Sequence, residues 1–168
     1  INQLIKIGWV INEDAIKSGL SNVIKKTGLQ GRWQTLQIDP VVICDTGHND
    51  AGIKLILEEI PKMIYKKLHF VLGVVNDKNI SQILSLLPTD AEYYFCKANI
   101  PRALNEIKLH NAASQIGLNG TRFSNVFSAI SAANKRADSD DLIFIGGSAF
   151  VVAEALQNNK ELFGGRVN

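Results

Sequence analysis

The sequence lacks most of the features that would assign it to a specialised class of protein. It has two cysteines and three histidines, and none of the histidines has the spacing of a zinc site such as HExxH. No apolar run reaches the roughly 20 residues that a membrane helix needs. Lys6, Glu13 and Asp14 interrupt the region where a signal peptide would be apolar. We therefore expect no metal site, no membrane contact, and a cytoplasmic protein in which Cys44 and Cys96 are buried, reduced thiols.

The sequence also lacks an excess of either charge. Its formal net charge of +2 is too small to indicate binding to nucleic acid. With 46% apolar and 20% charged residues, it has the composition of an ordinary globular protein. We predict a single domain over residues 1–168 that acts as a monomer. Because the chain begins at Ile1 and its only methionine is Met63, we expect a piece of a longer protein, with residues 1–10 as an interdomain linker or edge segment.

Short apolar runs alternate with segments of helical periodicity along the chain. Strands that alternate with helices form parallel sheets with right-handed crossovers. The pattern therefore predicts an α/β fold, an open doubly wound and mostly parallel sheet with helices on both faces. Strands are expected at 31–39, 41–45, 68–75, 91–96 and 141–147. Helices are expected after Asn12 and ending at Gly28, at 51–60, 79–88 and 103–116, after a cap at Ser124, and at 148–156.

Four polar loops would meet at one edge of this sheet. In open α/β sheets, ligands bind at the carboxyl ends of the strands. The loops expected there are residues 45–50, 73–79, 98–103 and 146–149. Each loop also has a purely structural explanation. In the first, Gly47 and Asn49 would turn the chain and Asp45 or Asp50 would cap the next helix.

The other loops also have structural explanations, which the residues alone favour. Residues 146–148, Gly-Gly-Ser, suit an anion at a helix N-terminus, and they also suit plain packing of a strand against a helix. Asp77 and Lys78 would form an exposed ion pair, and Arg102 would be an ordinary surface residue. Three motifs are missing altogether: the GxxxxGK[ST] phosphate loop, GxGxxG after a strand, and the GxSxG elbow. Their absence argues against triphosphate binding by a P-loop, ordinary dinucleotide binding and a serine hydrolase.

Taken in order, the loop motifs resemble a known family. The segments GRWQ, DTGHND, NDKN, PRA and GGSAFVVAE resemble the C-terminal domain of folylpolyglutamate synthase and dihydrofolate synthase, in the Mur ligase superfamily. The resemblance extends from GWVINEDAIKSGL to Leu156. The family's first loop usually reads Asp-Gly-Ala-His-Asn-Pro, so Thr46, Gly47 and Asp50 depart from it. The family's Asp-Lys-Asp is Asp-Lys-Asn here, ending at Asn79.

The resemblance implies an ATP-dependent ligase with a Rossmann-like C-terminal domain. Such enzymes activate a folate carboxylate as an acyl phosphate, which the amine of L-glutamate then attacks. ATP and Mg²⁺ would be held mainly by a preceding P-loop domain, which is the implied partner, and the present chain alone would be inactive. By the same resemblance, Arg32, Asp45, His48 and Asn49 should contact the nucleotide. His48 is the candidate catalytic residue, with a role in orientation or polarisation.

The resemblance also implies a site for the incoming glutamate. Gly147 would allow close backbone approach, and Ser148 would help to hold the glutamate carboxylate at a helix N-terminus. Lys78 and Arg102 are further candidates for substrate binding.

Two other functions remain open at this stage. A cell-wall ligase acting on muropeptides would share the Asp-x-x-His loop. A Rossmann-like interaction domain without activity would have rim residues that only cap helices. The second alternative predicts that Arg32, Asp45, His48 and Ser148 do not lie together.

Overall fold

The computed structural model describes residues 1–76 and 80–164. They divide into two compact units, one comprising Ile1–Gln30 and the other beginning at Gly31. In the first unit, Asn12 caps a helix by accepting the Ala15 N–H at 2.7 Å, and Gly28, with φ +68°, ends the last helix. Both predicted ends are confirmed, but a break at Asn22 divides the predicted helix in two. The helices are α1 (Asn2–Lys6), α2 (Glu13–Ser21) and α3 (Val23–Thr27).

The second unit is built on a six-stranded sheet. Its spatial order is β1-β2-β6-β3-β4-β5. β1 runs antiparallel to β2, and every other pair is parallel. The predicted open and mostly parallel sheet is therefore confirmed. The strands are β1 (Gln34–Ile38), β2 (Val41–Cys44), β3 (Leu68–Leu72), β4 (Glu92–Cys96), β5 (Gly120–Phe123) and β6 (Leu142–Gly146).

Helices cover both faces of this sheet, as predicted. Successive residues of a strand point to opposite faces, and in β3 Phe70 and Val71 enter separate hydrophobic cores. Phe70 packs 5.0 Å from the ring of Phe144 in one core, and Val71 packs with Ile145 in the other. The helices are α4 (Asp50–Glu59), a 3₁₀ turn (Ile60–Lys62), α5 (Ile80–Leu84), α6 (Glu106–Ser114), α7 (Val126–Arg136), α8 (Ala149–Gln157) and α9 (Asn159–Phe163).

Several predicted boundaries are wrong for identifiable reasons. β3 ends at Leu72 instead of residue 75, because Val75 leaves the sheet to bridge Ala103. α7 is capped by Asn125 instead of Ser124, since the side-chain Oδ1 of Asn125 accepts the Ser128 N–H at 2.7 Å. The sequence patterns also miss β5 and α9. Among the described residues, no helix has both the length and the apolar character of a membrane span.

Candidate functional site

The carboxyl ends of four neighbouring parallel strands bring the predicted loops to one edge of the sheet. β2, β6, β3 and β4 lie side by side, and the loops at 45–50, 146–149, 73–76 and 97–103 leave from their ends. Two hydrogen bonds join the first residues of the loops after β2 and β3 to the end of β6. The Asp45 N–H donates to the Ile145 carbonyl at 3.1 Å, and the Gly73 N–H donates to the Gly146 carbonyl at 3.3 Å.

Asp45 organises the first loop through both carboxylate oxygens. Its Oδ2 accepts the Trp33 N–H and its Oδ1 accepts the Gly47 N–H, each at 2.7 Å. The Arg32 Nη1 lies 3.9 Å from the same Oδ1, and the Arg32 side chain is mostly exposed. A carboxylate oxygen can accept two hydrogen bonds, so both oxygens retain capacity for a ligand. Asp45 therefore fixes the backbone and can still accept hydrogen bonds from a ligand hydroxyl.

An open pocket lies beside this carboxylate. Trp33 has a φ of +42°, in the left-handed region that non-glycine residues rarely adopt. Its half-buried side chain packs 6.0 Å from the ring of Phe144. Backbone strain of this kind is concentrated at ligand sites. The pocket has a volume of about 350 Å³ and is lined by Trp33, Leu55 and Ile56, with Arg32, Asp45, Gly52 and Glu59.

His48 and Asn49 have different roles at the start of α4. His48 is exposed, and its Nδ1 lies 2.9 Å from the Thr46 carbonyl oxygen. A carbonyl oxygen only accepts hydrogen bonds, so Nδ1 is the donor in this contact and Nε2 is left to face a ligand. The Asn49 Oδ1 accepts the Gly52 N–H at 2.9 Å and caps α4. The helix cap expected at Asp45 or Asp50 is thus Asn49.

Gly147 and Ser148 form a tight connection between β6 and α8. Gly147 has a φ of +88°, and a Cβ there would lie 2.6 Å from Leu72 Cδ1 and 2.9 Å from the Gly73 carbonyl oxygen. Only glycine therefore fits both the backbone conformation and the space. Ser148 is 3% exposed, and its Oγ caps α8 by accepting the Phe150 N–H at 3.2 Å.

Arg102 reaches this edge from the loop after β4. Its guanidinium carbon lies 4.9 Å from the centroid of the Phe150 ring. Its carbonyl oxygen accepts the Asn76 N–H at 2.8 Å. The Arg102 guanidinium thus contacts Phe150, which lies two residues after Ser148 in the first turn of α8. Lys78, the remaining predicted substrate contact, lies outside the described residues.

The two cysteines are not part of the reactive chemistry. Both are buried and free, as predicted. Burial, together with the charge of Asp45, raises the pKa of the Cys44 thiol to about 12. Burial and the Glu154 charge likewise raise the pKa of the Cys96 thiol. Since the thiolate is the nucleophilic form, neither side chain serves as a nucleophile near neutral pH.

The arrangement of acidic residues does not suit a divalent cation. Within residues 1–76 and 80–164, no group of three or more His, Cys, Asp or Glu side chains could hold a metal ion. Asp45, the carboxylate at the centre of the edge, already accepts two backbone N–H groups. The described residues therefore offer no site for magnesium of their own.

Another pocket lies at the opposite, amino-terminal edge of the sheet. It has a volume of about 450 Å³ and is mainly apolar, with Leu57, Tyr65 and Leu68 among its lining residues. Lys67 at its rim is paired with Glu92 at 2.5 Å. We place the candidate site at the other edge in spite of this larger volume, because only there do the loops after four parallel strands meet.

Trp33, Leu55 and Phe150 are the site residues that sequence reasoning did not single out. Trp33 and Phe150 lie inside two of the motifs quoted above, GRWQ and GGSAFVVAE. Their side chains have no chemistry that a spacing argument could detect. Leu55, on α4, has 63% of its surface exposed. An exposed leucine is common on protein surfaces and gives no signal by itself.

Comparison with known proteins identifies the family. Residues 31–149 match the Mur ligase, glutamate ligase domain family. A probable bifunctional folylpolyglutamate synthase/dihydropteroate synthase of Haloferax volcanii is 32% identical over 148 residues, covering 86% of this chain and 17% of that protein. A structure of E. coli FolC in complex with DHPP and ADP has a TM-score of 0.78 at 26% identity, covering 89% of this chain and 35% of that one.

A second similar structure contains a different set of ligands. It is a bifunctional folylpolyglutamate synthase/dihydrofolate synthase with Mn, AMPPNP and L-glutamate bound. It has a TM-score of 0.77 at 26% identity, and it covers 89% of this chain and 35% of that chain. The present chain thus spans about a third or less of the length of these proteins. The family indicated by the loop motifs is confirmed, and the chain belongs to the Mur ligase family through its glutamate ligase domain.

Proposed function

We propose that this chain is the C-terminal domain of an ATP-dependent ligase that adds L-glutamate to a folate, as in folylpolyglutamate synthases and bifunctional dihydrofolate synthases. One observation carries the proposal. In a chain of the glutamate ligase domain family, the loop of Asp45 and the loop of Ser148 leave the adjacent parallel strands β2 and β6 at the same edge. One loop offers groups for a nucleotide, and the other offers groups for a carboxylate.

The pocket beside Asp45 is the proposed contact with ATP. Its wall of Trp33, Leu55 and Ile56 is suited to a flat, apolar ring system such as a nucleobase. The Asp45 oxygens can accept hydrogen bonds from ribose hydroxyl groups, and the Arg32 guanidinium can pair with phosphate. ATP supplies the phosphoryl group that activates the folate carboxylate. His48 and Asn49 belong to the same loop as Asp45, and their imidazole and amide groups are further candidates for contacts with the nucleotide.

The first turn of α8 is the proposed contact with glutamate. Ser148 is the N-cap of a nine-residue helix, and the partial positive charge of a helix N-terminus favours an anion. The Ser148 hydroxyl accepts one backbone N–H and retains its own hydrogen for donation. Arg102 adds a full positive charge at the same turn. A carboxylate of glutamate would be held by these groups, while its amine faces the activated folate.

The rest of the reaction requires groups that lie outside this chain. Because the described residues do not suit a divalent cation, we assign magnesium and the phosphate loop to the preceding domain of the ligase, which is the proposed partner. The present domain would close over that partner and complete the nucleotide and glutamate sites. Alone, the chain should bind ATP or glutamate weakly and release no phosphate. We further propose a monomeric, cytoplasmic enzyme.

Two alternatives are less well supported. The relatives reported above are named as folate enzymes, which favours a folate over a muropeptide as the acceptor. The interaction-domain alternative required Arg32, Asp45, His48 and Ser148 to be dispersed. Instead, Arg32 lies 3.9 Å from Asp45, and the loops of Asp45, His48 and Ser148 share one sheet edge.

The test is an assay of the ligase polypeptide that contains residues 1–168. ADP release is measured with ATP, magnesium and glutamate, using tetrahydrofolate, dihydropteroate or a muropeptide as the acceptor. We expect release with a folate-type acceptor, and a loss of about tenfold or more in kcat/KM for ATP in Asp45→Ala. Asp140→Ala is the matched control, since Asp140 is exposed and distant in the fold. Release only with the muropeptide, or equal activity in both variants, would refute the proposal.

A further inference from the structure

Phe150 connects two groups of the proposed glutamate site. Its ring centroid lies 4.9 Å from the Arg102 guanidinium carbon, which is within the range of a cation–π contact. Its own backbone N–H donates to Ser148 Oγ at 3.2 Å. The Phe150 ring is half-buried, so its position is restrained by the packing of α8, whereas Arg102 is exposed. Phe150 thus contacts the Arg102 guanidinium through its ring and the Ser148 hydroxyl through its backbone N–H.

The backbone at Arg102 and Leu104 is hydrogen-bonded to the loop that follows β3. The Asn76 N–H donates to the Arg102 carbonyl at 2.8 Å, and the Leu104 N–H donates to the Val74 carbonyl at 2.9 Å. These bonds fix the point from which the Arg102 side chain starts. They do not fix its long aliphatic stem, which loses considerable rotamer freedom whenever the head group is held in one place.

α8 holds the loop after β4 at a second point. The Glu154 Oε1 accepts the Asn99 N–H at 2.5 Å. Phe150 and Glu154 are four residues apart in the helix and therefore lie on the same face. The helix that carries Ser148 thus contacts the Arg102 loop through both an aromatic ring and a carboxylate.

We propose that Phe150 is a positioning residue, whose ring holds the Arg102 guanidinium beside Ser148 so that the two side chains meet one carboxylate of glutamate. This inference rests on the proposed function. The ring favours one location of the guanidinium before the substrate arrives. The entropy of ordering Arg102 then does not oppose glutamate binding. Phe150 need not touch the substrate, and its effect should appear in glutamate affinity more than in the chemical step.

The experiment compares Phe150→Leu with Phe150→Tyr in the ligase that contains this chain. Tyrosine keeps an aromatic face, and leucine removes it while keeping an apolar side chain. We expect Phe150→Leu to raise the KM for glutamate about two- to five-fold, with kcat and the KM for ATP nearly unchanged. Phe150→Tyr should stay close to wild type. Phe163→Leu is the matched control, because Phe163 is also half-buried but lies on α9.

A spectroscopic measurement keeps the inference testable independently of turnover. In the 168-residue chain, the Arg102 Nε–H resonance should move when Phe150 becomes leucine and should keep its ring-shifted position with tyrosine. An unchanged KM for glutamate in Phe150→Leu, or equal damage by both substitutions, overturns the positioning role and leaves the proposed function intact. If the wild-type ligase releases no ADP in response to glutamate, the proposed function itself fails, and the inference fails with it.

Discussion

The Trp33 N–H donates a 2.7 Å hydrogen bond to Oδ2 of Asp45. This bond ties the residue before β1 to the residue after β2, across the edge where the antiparallel pair ends. It helps to hold Trp33 at a φ of +42°, since a residue in that region persists only when its surroundings determine it. The same carboxylate accepts the Gly47 N–H. Asp45 therefore shapes the pocket in addition to being a candidate ligand contact.

Removing this carboxylate should destabilise the fold itself. Asp45→Ala leaves two backbone N–H groups without their acceptor, and hydrogen bonds to a charged group are worth about 1.5–3 kcal/mol each before relaxation and hydration are considered. We expect a loss of about 2 kcal/mol in the free energy of unfolding, measured by urea denaturation. Asp140→Ala should change it by less than about 0.5 kcal/mol. A loss no greater than in that control would show that the two hydrogen bonds do not stabilise the site.

Substitution by alanine should lower the melting temperature by different amounts at two glycines that have the same backbone conformation. Gly147 and Gly117 have φ values of +88° and +83°, so both substitutions carry a backbone strain of about 1–2 kcal/mol. Only at Gly147 would the new Cβ collide with other atoms, at 2.6 Å from Leu72 and 2.9 Å from Gly73; nothing lies within 4 Å at Gly117. Gly147→Ala should therefore lower the melting temperature more than Gly117→Ala. Equal shifts would mean that the strands near Gly147 can move apart.

The acid stability of the chain should depend on a buried network at the opposite edge. His69 is fully buried, with its Nε2 3.1 Å from Asp141 Oδ2 and its Nδ1 2.9 Å from the Tyr94 hydroxyl. Burial alone would raise the pKa of Asp141, but hydrogen bonds from the Asp138 N–H and His69, with the charge of His69, lower it below its usual value. A carboxyl group with a lowered pKa stabilises the fold above its unfolded pKa of about 3.9. That contribution is lost as the pH falls through the folded pKa.

The lowered pKa of Asp141 predicts how the stability of a variant should depend on pH. Asp141→Asn should be less stable than wild type near neutral pH, and the difference should shrink as the pH falls below about 4. The measurement is urea denaturation of both proteins between about pH 7 and pH 3. The pKa of Glu92 is also lowered, since its bonds with Lys67 and Arg136 outweigh the effect of burial. Its contribution is common to both proteins and cancels. A difference that stays constant with pH would contradict the assignment to Asp141.

Sequence reasoning succeeded where a residue's role depends on its neighbours in the chain. The apolar runs of β2, β3, β4 and β6 predicted the central strands because strands covered on both faces need no polar alternation. It failed at β5, an edge strand whose residues are half-buried or exposed and include Thr121 and Arg122. A pattern based on burial cannot detect a strand that is not buried. The choice of Ser124 over Asn125 was wrong for a different reason, because both residues are good helix caps and sequence alone does not separate them.

The site was predictable in its polar groups and not in its apolar ones. The position of Asp45, His48 and Ser148 at one edge of the sheet could be predicted because each follows a buried strand of a parallel sheet. Their assignment to ligands came from the family resemblance and stays a prediction. That Asp45 bonds to the Trp33 N–H across a hairpin depends on the left-handed turn at Trp33, which no propensity rule predicts for a tryptophan. The contact between Arg102 and Phe150 joins two segments that are distant in sequence, so it could be recognised only in three dimensions.

The thiols offer a simple check of the core. Burial, followed by the negative charge of Asp45, raises the pKa of the Cys44 thiol to about 12. The Cys44 side chain is therefore almost entirely in its thiol form at neutral pH. Cys96 is also buried, and its pKa is raised as well. Alkylation with iodoacetamide near pH 8 should therefore be slow in the native chain, and both thiols should react after unfolding in denaturant. Mass spectrometry counts the modified sites. Rapid native labelling at Cys44 would mean that β2 is open to solvent.

A pair of helix caps can separate stability from glutamate binding. Ser148 caps α8 and Asn125 caps α7, so alanine at either position removes one side-chain acceptor from a helix N-terminus. The expected cost is about 0.5–2 kcal/mol in each case. Only Ser148 caps the helix that carries Phe150, the residue whose ring contacts Arg102. In the ligase containing this chain, Ser148→Ala should raise the KM for glutamate by about tenfold, and Asn125→Ala should leave it near the wild-type value.

The comparison works because both variants suffer the same kind of damage to the fold. If the KM for glutamate merely followed stability, the two substitutions would raise it in proportion to their losses in the free energy of unfolding. Ser148→Thr provides the rescue, since threonine retains both the cap and a hydroxyl hydrogen. Recovery of glutamate affinity in Ser148→Thr, with no defect in Asn125→Ala, would assign the hydroxyl to the substrate. An equal rise in the KM for glutamate in Ser148→Ala and Asn125→Ala would show that Ser148 acts only as a helix cap.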